Sequence, residues 1–585
     1  MDGIDLEVIF QSTLQIAREL TMNMLRTGYS TVIKESQDFT FAIFDRHARM
    51  VAQGIPQPAH IGPIAAQTRE IHRAFRGNMK AGDAFIVNHP YRACQNHATD
   101  VTIISPVFFD GQLVAYIGNT AHKPDIGGKV PGTNSPDATE VFQEGLLIPP
   151  VKLYEEGTLN EALYEMICAN TRTPEVTWGD INAQVQTNVY GIRKFSELFE
   201  KYGKDTVLVC WTRWMDICEQ ELVEQIRQLK PGTYGPVVDY LDDDGIDREK
   251  SYRISLSLEV KKDRLHFTLD SDPQARGPIN LRPCVSRNVI ECWVKMAFAP
   301  HLPVNDGMSR PIEVTYPEEG TLLNPRFPAP VNMYVRASQL ISTLVARVLG
   351  EVAPDRIPAP GSGASGGLTG SGLNPRTGRW FSIHEIYNGG GGARPHEDGV
   401  SVQDELVLNV MNTPVEAVET EFPLRIRRYE LVQDSAGAGR YRGGLGALRE
   451  WEVLSDEVTF NLRADRFKHA SPGSGGASPA APSSAQLNPG TTGEKALPSK
   501  VAGLRLRRGD VLAWGLAGGG GYGDPFTRDI EAVRLDVERG YVSAGAARKL
   551  YGVAIGEDGT IDKAATRQLR GQRTSALADA SDTAR

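Results

Sequence analysis

The stretch Asn88–Gly132, NHPYRACQNHATDVTIISPVFFDGQLVAYIGNTAHKPDIGGKVPG, decides how this chain is read. It holds two clusters of metal-ligating side chains with one spacing, His97-Ala-Thr-Asp100 and His122-Lys-Pro-Asp125, the second backed by Gly127 and Gly128. Between them lie an apolar run Val101–Phe109, an Asp110-Gly111 pair, and a second apolar run from Gln112 to Gly118. Two such runs joined by Asp-Gly predict a β-hairpin with a two-residue turn. A hairpin returns the chain, so a cluster before its first strand and a cluster after its second reach the same sheet edge. Imidazole nitrogens and carboxylate oxygens converging there suit a divalent ion. Taken singly, each His and Asp is as well explained as a turn residue or hydrogen-bond partner. The coupling of the two clusters through one hairpin is what favours ligation. Cys94, three residues before His97, also permits a Cys-x-x-His-x-x-Asp reading in which a thiolate selects zinc; a buried or loop thiol is preferred.

Outward from the hairpin, the patterns change along the chain. Asp5–Thr27 has a wide apolar helical face ended by Gly28, and Asp38–Asp45 alternates as a strand. Pro56–Pro63 is a loop carrying His60, Thr177–Leu229 reads as one long helical stretch, and Val285–Phe298 and Val335–Leu349 as two more helices. After Pro231-Gly232 short strands and turns dominate, with Ile254–Val260 and Arg264–Asp270 forming a second hairpin. The expected fold class is mixed α/β (α+β) and multi-lobed, helical and hairpin-containing in its N-terminal half and β-rich and glycine-rich in its C-terminal half. The expected divisions are 1–230 with the metal-binding hairpin, a central lobe 231–400, a β-rich lobe 401–528 with a mobile Ser/Pro/Gly excursion at 470–492, and a helical tail 529–585.

Composition narrows the function. Sixty-three basic against 72 acidic side chains give a net charge of −9, and no long Lys/Arg run is present, which argues against a nucleic-acid surface. No apolar stretch approaches the ~18 residues of a membrane span, and the N-terminal MDGIDLEVIF has no signal-peptide pattern. Six cysteines without a CxxC pair in 585 residues are no disulfide framework, so a reduced, cytoplasmic setting is expected. The glycine runs 389–392 and 518–521 match neither GxxxxGK[ST] nor GxGxxG and read as tight backbone packing, leaving no nucleotide site in the chain. Asp242–Asp244 before Gly245 lacks the spacing of a calcium loop and reads as a turn, and Ser362 in GSGASGG reads as a loop residue.

Further motifs carry a resemblance. Among them are Asp38-Phe-Thr-Phe-Ala-Ile-Phe-Asp45, Pro58-Ala-His60-Ile-Gly62, Asn88-His-Pro-Tyr91, His97 to Asp100, Ala121-His122-Lys-Pro-Asp125-Ile-Gly-Gly128, Gln143-Glu144-Gly145, Asn305-Asp-Gly307, the Asp434–Gly446 run and Gly518–Pro525. Together they resemble the hydantoinase B/oxoprolinase family, which includes the B-type chains of ATP-dependent hydantoinases and lactamases, the C-terminal half of 5-oxoprolinase, and subunits of acetone and acetophenone carboxylases. The resemblance implies a divalent metal (Mn or Zn, with Fe a third option) on His97, Asp100 and His122, with Asp125 a fourth ligand or a partner of the ligands. It implies that ATP is used by a companion A-type subunit, not by this chain, in a hetero-oligomer acting on a small cyclic amide or ketone. Glu144, Asp125 and His60 are the candidates for the catalytic base. The chain departs from the family's common loop: His89 stands where an Asp is usual, and Arg92–Asn96 replaces glycines, which points to His89–Asn96 as a determinant of substrate choice.

Three functions fit this reading. The favoured one is the B-type subunit of an ATP-dependent cyclic amide hydrolase of hydantoinase, oxoprolinase or lactamase type. The others are a subunit of an ATP-dependent ketone carboxylase, and a non-catalytic scaffold of such a complex.

Overall fold

The computed structural model describes residues 3–54 and 57–582. Pro56, at the head of the loop expected before His60, lies outside the described residues. The fold is built on a seven-stranded antiparallel sheet. Its strands are β1 (Phe39–Asp45), β2 (Met50–Gln53), β3 (Ala84–Val87), β4 (Asp100–Phe109), β5 (Gln112–His122), β6 (Val151–Glu155) and β7 (Thr158–Leu159), in the order β2-β1-β5-β4-β3-β6-β7. The expected hairpin is β4–β5 at its centre. Its turn is Asp110-Gly111, both at positive φ (49° and 71°), the backbone signature of a type I′ turn.

Register places the chemistry. Asp100 and His122 are direct cross-strand partners, and β1 runs alongside so that Phe39 faces Ala121. The His122 N–H donates to the Asp38 carbonyl, which brings the residue before β1 to the same edge. Both faces of this sheet are covered, so its central strands are apolar throughout rather than alternating. Phe41, Ile43 and Ile117 point to the helices Gly3–Thr27, Pro174–Tyr202 and Lys204–Arg227, while Ala42, Phe44 and Tyr116 pack with Ile64 and Ile71 of helix Ile61–Ala74. The single helical stretch expected at 177–229 is instead two helices, broken at Gly203, whose φ of +82° no helix interior adopts.

A second, four-stranded sheet (Gly232–Leu241, Tyr252–Val260, Leu265–Ser271, Ile312–Thr315) packs on helices Pro283–Phe298 and Tyr334–Val352. The Tyr334–Val352 helix is buried along most of its length, and its first turn abuts the hairpin edge, with the Tyr334 and His97 rings 4.9 Å apart. Beyond residue 360 two further sheets share a core around Tyr387, Trp451 and Trp514. Strands Arg379–Tyr387 and Glu457–Arg463 of one of them end at the hairpin edge through His384 and Arg463. The chain is thus mixed α/β with several sheets, and strand-rich in its C-terminal half.

The glycine runs cross one another as bare backbone. A Cβ on Gly390 would sit 2.0 Å from the Gly444 carbonyl oxygen, and one on Gly519 would sit 2.0 Å from that of Gly391. Four of their N–H groups are spent on other backbone carbonyls, Gly390 to Ala517, Gly391 to Val400, Gly519 to Gly444 and Gly520 to Pro360. The 470–492 stretch carries strand Ser484–Leu487 and is bonded through Ser474, Ser478 and Ala481 to Gly521, Ala438 and Ser435. Cys94 is not the thiol expected: it is disulfide-bonded to Cys284 on the Pro283–Phe298 helix, 190 residues away, a separation at which sequence spacing carries no signal. No described helix is long and apolar enough to cross a membrane.

Candidate functional site

Asp100 is the hub. Its Oδ1 lies 3.1 Å from His97 Nε2 and 3.0 Å from His122 Nδ1, and its Oδ2 lies 3.3 Å from His60 Nε2. Asn96 donates to Oδ2 (3.0 Å), and Gln95 donates to the Asp100 backbone carbonyl (2.6 Å). Asp38 faces the same group, 3.7 Å from His60 and 3.9 Å from His122. All of these residues are buried. Three imidazoles around one carboxylate have a predictable electrostatic result. Burial alone would raise the Asp100 pKa, but His97, His60 and His122 hold it well below the usual carboxylate range. On His60 burial acts downward, yet Asp100 and Asp38 outweigh it and the net shift is upward. For His122 burial wins over Asp100, and the ring is shifted toward its neutral form.

These residues fit a divalent ion. Ligand atoms of His97, Asp100 and His122 all lie within 4.8 Å of one another. The His122 Nε2 is buried without a hydrogen-bond partner, which costs about 1–3 kcal/mol unless something occupies it. The His97 Nδ1–H donates to the Asn332 carbonyl (3.1 Å) and faces its side-chain oxygen (3.3 Å). That contact makes Nδ1 the donor, so Nε2, 3.1 Å from Asp100 Oδ1, is the nitrogen that would offer its lone pair to an ion.

The remaining sequence candidates fall in different places. His60 touches the cluster. Glu144 stands behind it: its Oε1 accepts the Asn332 N–H (2.7 Å), its Oε2 has no partner, and burial pushes its pKa up to about 8. Asp125 is engaged elsewhere, accepting from the backbone of Gly127, Gly132 and Arg172 and from the Arg172 guanidinium (3.0 Å), so it organises the loop after β5. The 89–96 loop is divided. His89 caps the short helix Pro90–Ala93 and, with Tyr91, Phe142 and Phe327, lines a surface cleft, whereas Gln95 and Asn96 turn inward to Asp100.

The cavity at the cluster is lined by Asp38, His97 and His122 together with Tyr334, Arg336, Ser365, Gly367, His384 and Arg463. His384 packs 4.2 Å from the His122 ring, and burial drives it well below the usual imidazole pKa, so it stands neutral. Sequence reading missed Asp38, Arg336, His384 and Arg463. Each lies far along the chain from the hairpin, inside a strand or helix or beside one, and only Asp38 stood in a motif that drew attention, where it was given no role.

Comparison with known proteins shows the family and the fold. The family model described as hydantoinase B/oxoprolinase matches residues 2–525. The B-type chain of a putative D-/L-hydantoinase from a Pseudomonas strain is 31% identical, covering 97% of this chain and 98% of that protein. The crystal structure of the ATP-dependent caprolactamase from Pseudomonas jessenii superposes with a TM-score of 0.92 at 30% identity, over 98% of this chain and all of the matched chain. A nucleotide-free acetone carboxylase matches at a TM-score of 0.90 over 99% of this chain and 84% of its own; at 19% identity that likeness concerns the fold alone.

Proposed function

Because the chain belongs to the hydantoinase B/oxoprolinase family, we propose that it is the B-type subunit of an ATP-dependent cyclic amide hydrolase. A companion A-type subunit phosphorylates the amide oxygen of a hydantoin, oxoproline or lactam, and this chain completes the hydrolysis. The observation that carries the reading is the buried convergence of His97, Asp100 and His122, with His122 Nε2 stranded, on a chain that matches a caprolactamase along its whole length. A divalent ion bound there would supply a water of lowered pKa and a Lewis acid for the carbonyl. His122 Nε2 and His97 Nε2 would offer lone pairs to that ion, and Asp100 holds the His122 ring in its tautomer. Of the three candidate bases, His60 has the support of contact with the cluster through Asp100; Glu144 and Asp125 are engaged with Asn332 and Arg172. Asp38 fits a fourth donor, since its carboxylate borders both His60 and His122.

The test is reconstitution with the companion chain. ATP consumption should depend on a hydantoin, oxoproline or lactam, proceed without bicarbonate, and yield the ring-opened acid. Consumption that instead needs bicarbonate and a ketone would make the chain part of a carboxylase. Unchanged turnover in His122→Ala, with no Mn, Zn or Fe on the wild type, would leave only a scaffold.

A further inference from the structure

Arg336 and Arg463 are the least compensated buried charges in the cavity. Each is more than nine-tenths buried, 4% and 6% exposed respectively, and both line the cavity that His97 and His122 line. Neither guanidinium forms an ion pair within 4 Å among the described residues, and Arg336 Nη1 and Arg463 Nε have no hydrogen-bond partner. Elsewhere this protein pairs its buried arginines: Arg449 with Glu385, Arg466 with Asp239, Arg528 with Asp398 and Asp536. An isolated cation in a protein interior is costly, and two facing one cavity are costlier still. Burial, then the neighbouring Arg336, pulls Arg463 down to about 9, and burial pulls Arg336 down to about 10, so both remain charged at neutral pH.

The carboxylates within electrostatic reach are committed elsewhere. Around Arg336, Asp465 is paired with Lys500, Asp404 accepts from Ser365 and the Val410 N–H, and Glu405 accepts the Gly363 N–H. Around Arg463 the negative groups are Asp38 and Asp100, which belong to the metal cluster. The backbone leaves room for the Arg463 fork: a Cβ on Gly367 would sit 2.7 Å from its Nη2. Arg336 itself stands in the first turn of the 19-residue helix Tyr334–Val352, which also lines the cavity and whose N-terminus has no side-chain cap and adds positive potential.

We propose that Arg336 and Arg463 form an oxyanion site facing the His97–Asp100–His122 cluster and built for a phosphoryl group. Two guanidiniums match the charge of a phosphate dianion, whereas a carboxylate would leave one cation unanswered. Assigning that phosphoryl group to the activated substrate rests on the hydrolase reading above; the oxyanion site itself does not. It fixes the orientation of the substrate: phosphate oxygens toward the arginines, the carbon they activate toward the histidines.

The test is calorimetric titration of the full chain with inorganic phosphate and, separately, with acetate, in wild type, R336M and R463M. Phosphate should bind at least about tenfold more tightly than acetate, and each variant should weaken phosphate by about tenfold or more. Neither variant should lower the melting temperature of the ligand-free chain, because each removes an uncompensated charge; a structural clamp would show the opposite. In the Mn²⁺-loaded chain, phosphate should show paramagnetic broadening in ³¹P spectra, and R463M should abolish it. R463K, which keeps charge but loses the fork, covers the case in which R463M does not fold and should also bind phosphate more weakly. Absence of phosphate binding, equal binding of acetate, full binding in the variants, or a melting temperature lowered in both would overturn the site. The titration needs neither ATP nor companion, so phosphate binding here together with no cyclic amide turnover by the reconstituted complex would sink the hydrolase reading and spare the site. Full turnover in R463M would do the reverse.

Discussion

Two buried polar clusters of this chain use similar residues to opposite ends. At the junction of the central and C-terminal sheets, Asp242 accepts from the backbone of Phe467, Lys468 and His469, Asp465 accepts from Asp242 N–H and Lys500, and Asp243 accepts from Ser499. None of these side chains has a stranded polar atom. At the hairpin edge, His60 Nδ1, His122 Nε2, Arg336 Nη1 and Arg463 Nε are all buried without partners. A network whose every donor and acceptor is used joins parts of a fold; one whose unused atoms sit on residues lining a shared cavity, as those of His122, Arg336 and Arg463 do, is open to a ligand. Burial and charge density are alike in the two, so satisfaction of hydrogen bonds is the property that separates them.

Mutating each hub should divide the two clusters by readout. Asp100→Asn at the hairpin should lower activity of the reconstituted complex by about 10²-fold or more, since it removes a candidate ligand that also orients His97 and His122. It should also remove bound metal, checked by elemental analysis, while leaving the circular-dichroism melt nearly intact. Lys500→Met should behave inversely. It strands Asp465, 3.1 Å away, and Asp243, 3.8 Å away, with no cation, and should destabilise the fold by about 3–5 kcal/mol in urea unfolding. The metal content of the folded fraction should not change. A Lys500→Met protein of wild-type stability would dissolve the distinction between the two clusters.

How much of this was legible in the chain follows from separation along it. The hairpin was, because Val101–Phe109, Asp110-Gly111 and Gln112–Gly118 are contiguous and Asp-Gly permits the two positive φ values that a type I′ turn needs. His97, Asp100 and His122 followed from it, since register turns their spacing into proximity. The family's motifs extended that reading to His60 and Glu144, but not to their partners. Asp125 illustrates the limit: its spacing to His122 repeats that of His97 to Asp100, yet the loop after β5 turns it toward Arg172. Arg336, His384 and Arg463 approach the site from other sheets and helices, and an Arg in a strand has the same pattern whether it faces water or a cavity. The Cys94–Cys284 bond likewise needs the fold before it can be seen.

The residues behind the site sharpen the comparison further, with smaller effects. Asn332 holds His97 through its backbone carbonyl and its side-chain oxygen. Asn332→Ala keeps the carbonyl and loses the amide, so metal affinity should fall by about tenfold, the low end for such a partner, in a competition titration with a chelator. An unchanged affinity would mean that the carbonyl alone orients the ring.

Glu144 is expected to show the mildest effect, and its sign is fixed by its surroundings. Burial raises its pKa from the ordinary 4.5 to about 8, against the pull of the Val331 and Asn332 N–H groups. The folded protein therefore holds this proton at pH values where the unfolded chain has released it. By linkage, the contribution to stability is complete below about 4.5 and is lost as pH rises toward and through about 8. Glu144→Gln cannot release a proton, so its urea midpoint should stay flatter than wild type across that interval. The two proteins should be close at the acid end and diverge in favour of the variant as pH rises. Parallel midpoints for the two proteins would place Glu144 among the satisfied groups, with the Asp242–Asp465–Lys500 cluster, and remove it from the unsatisfied edge around His122.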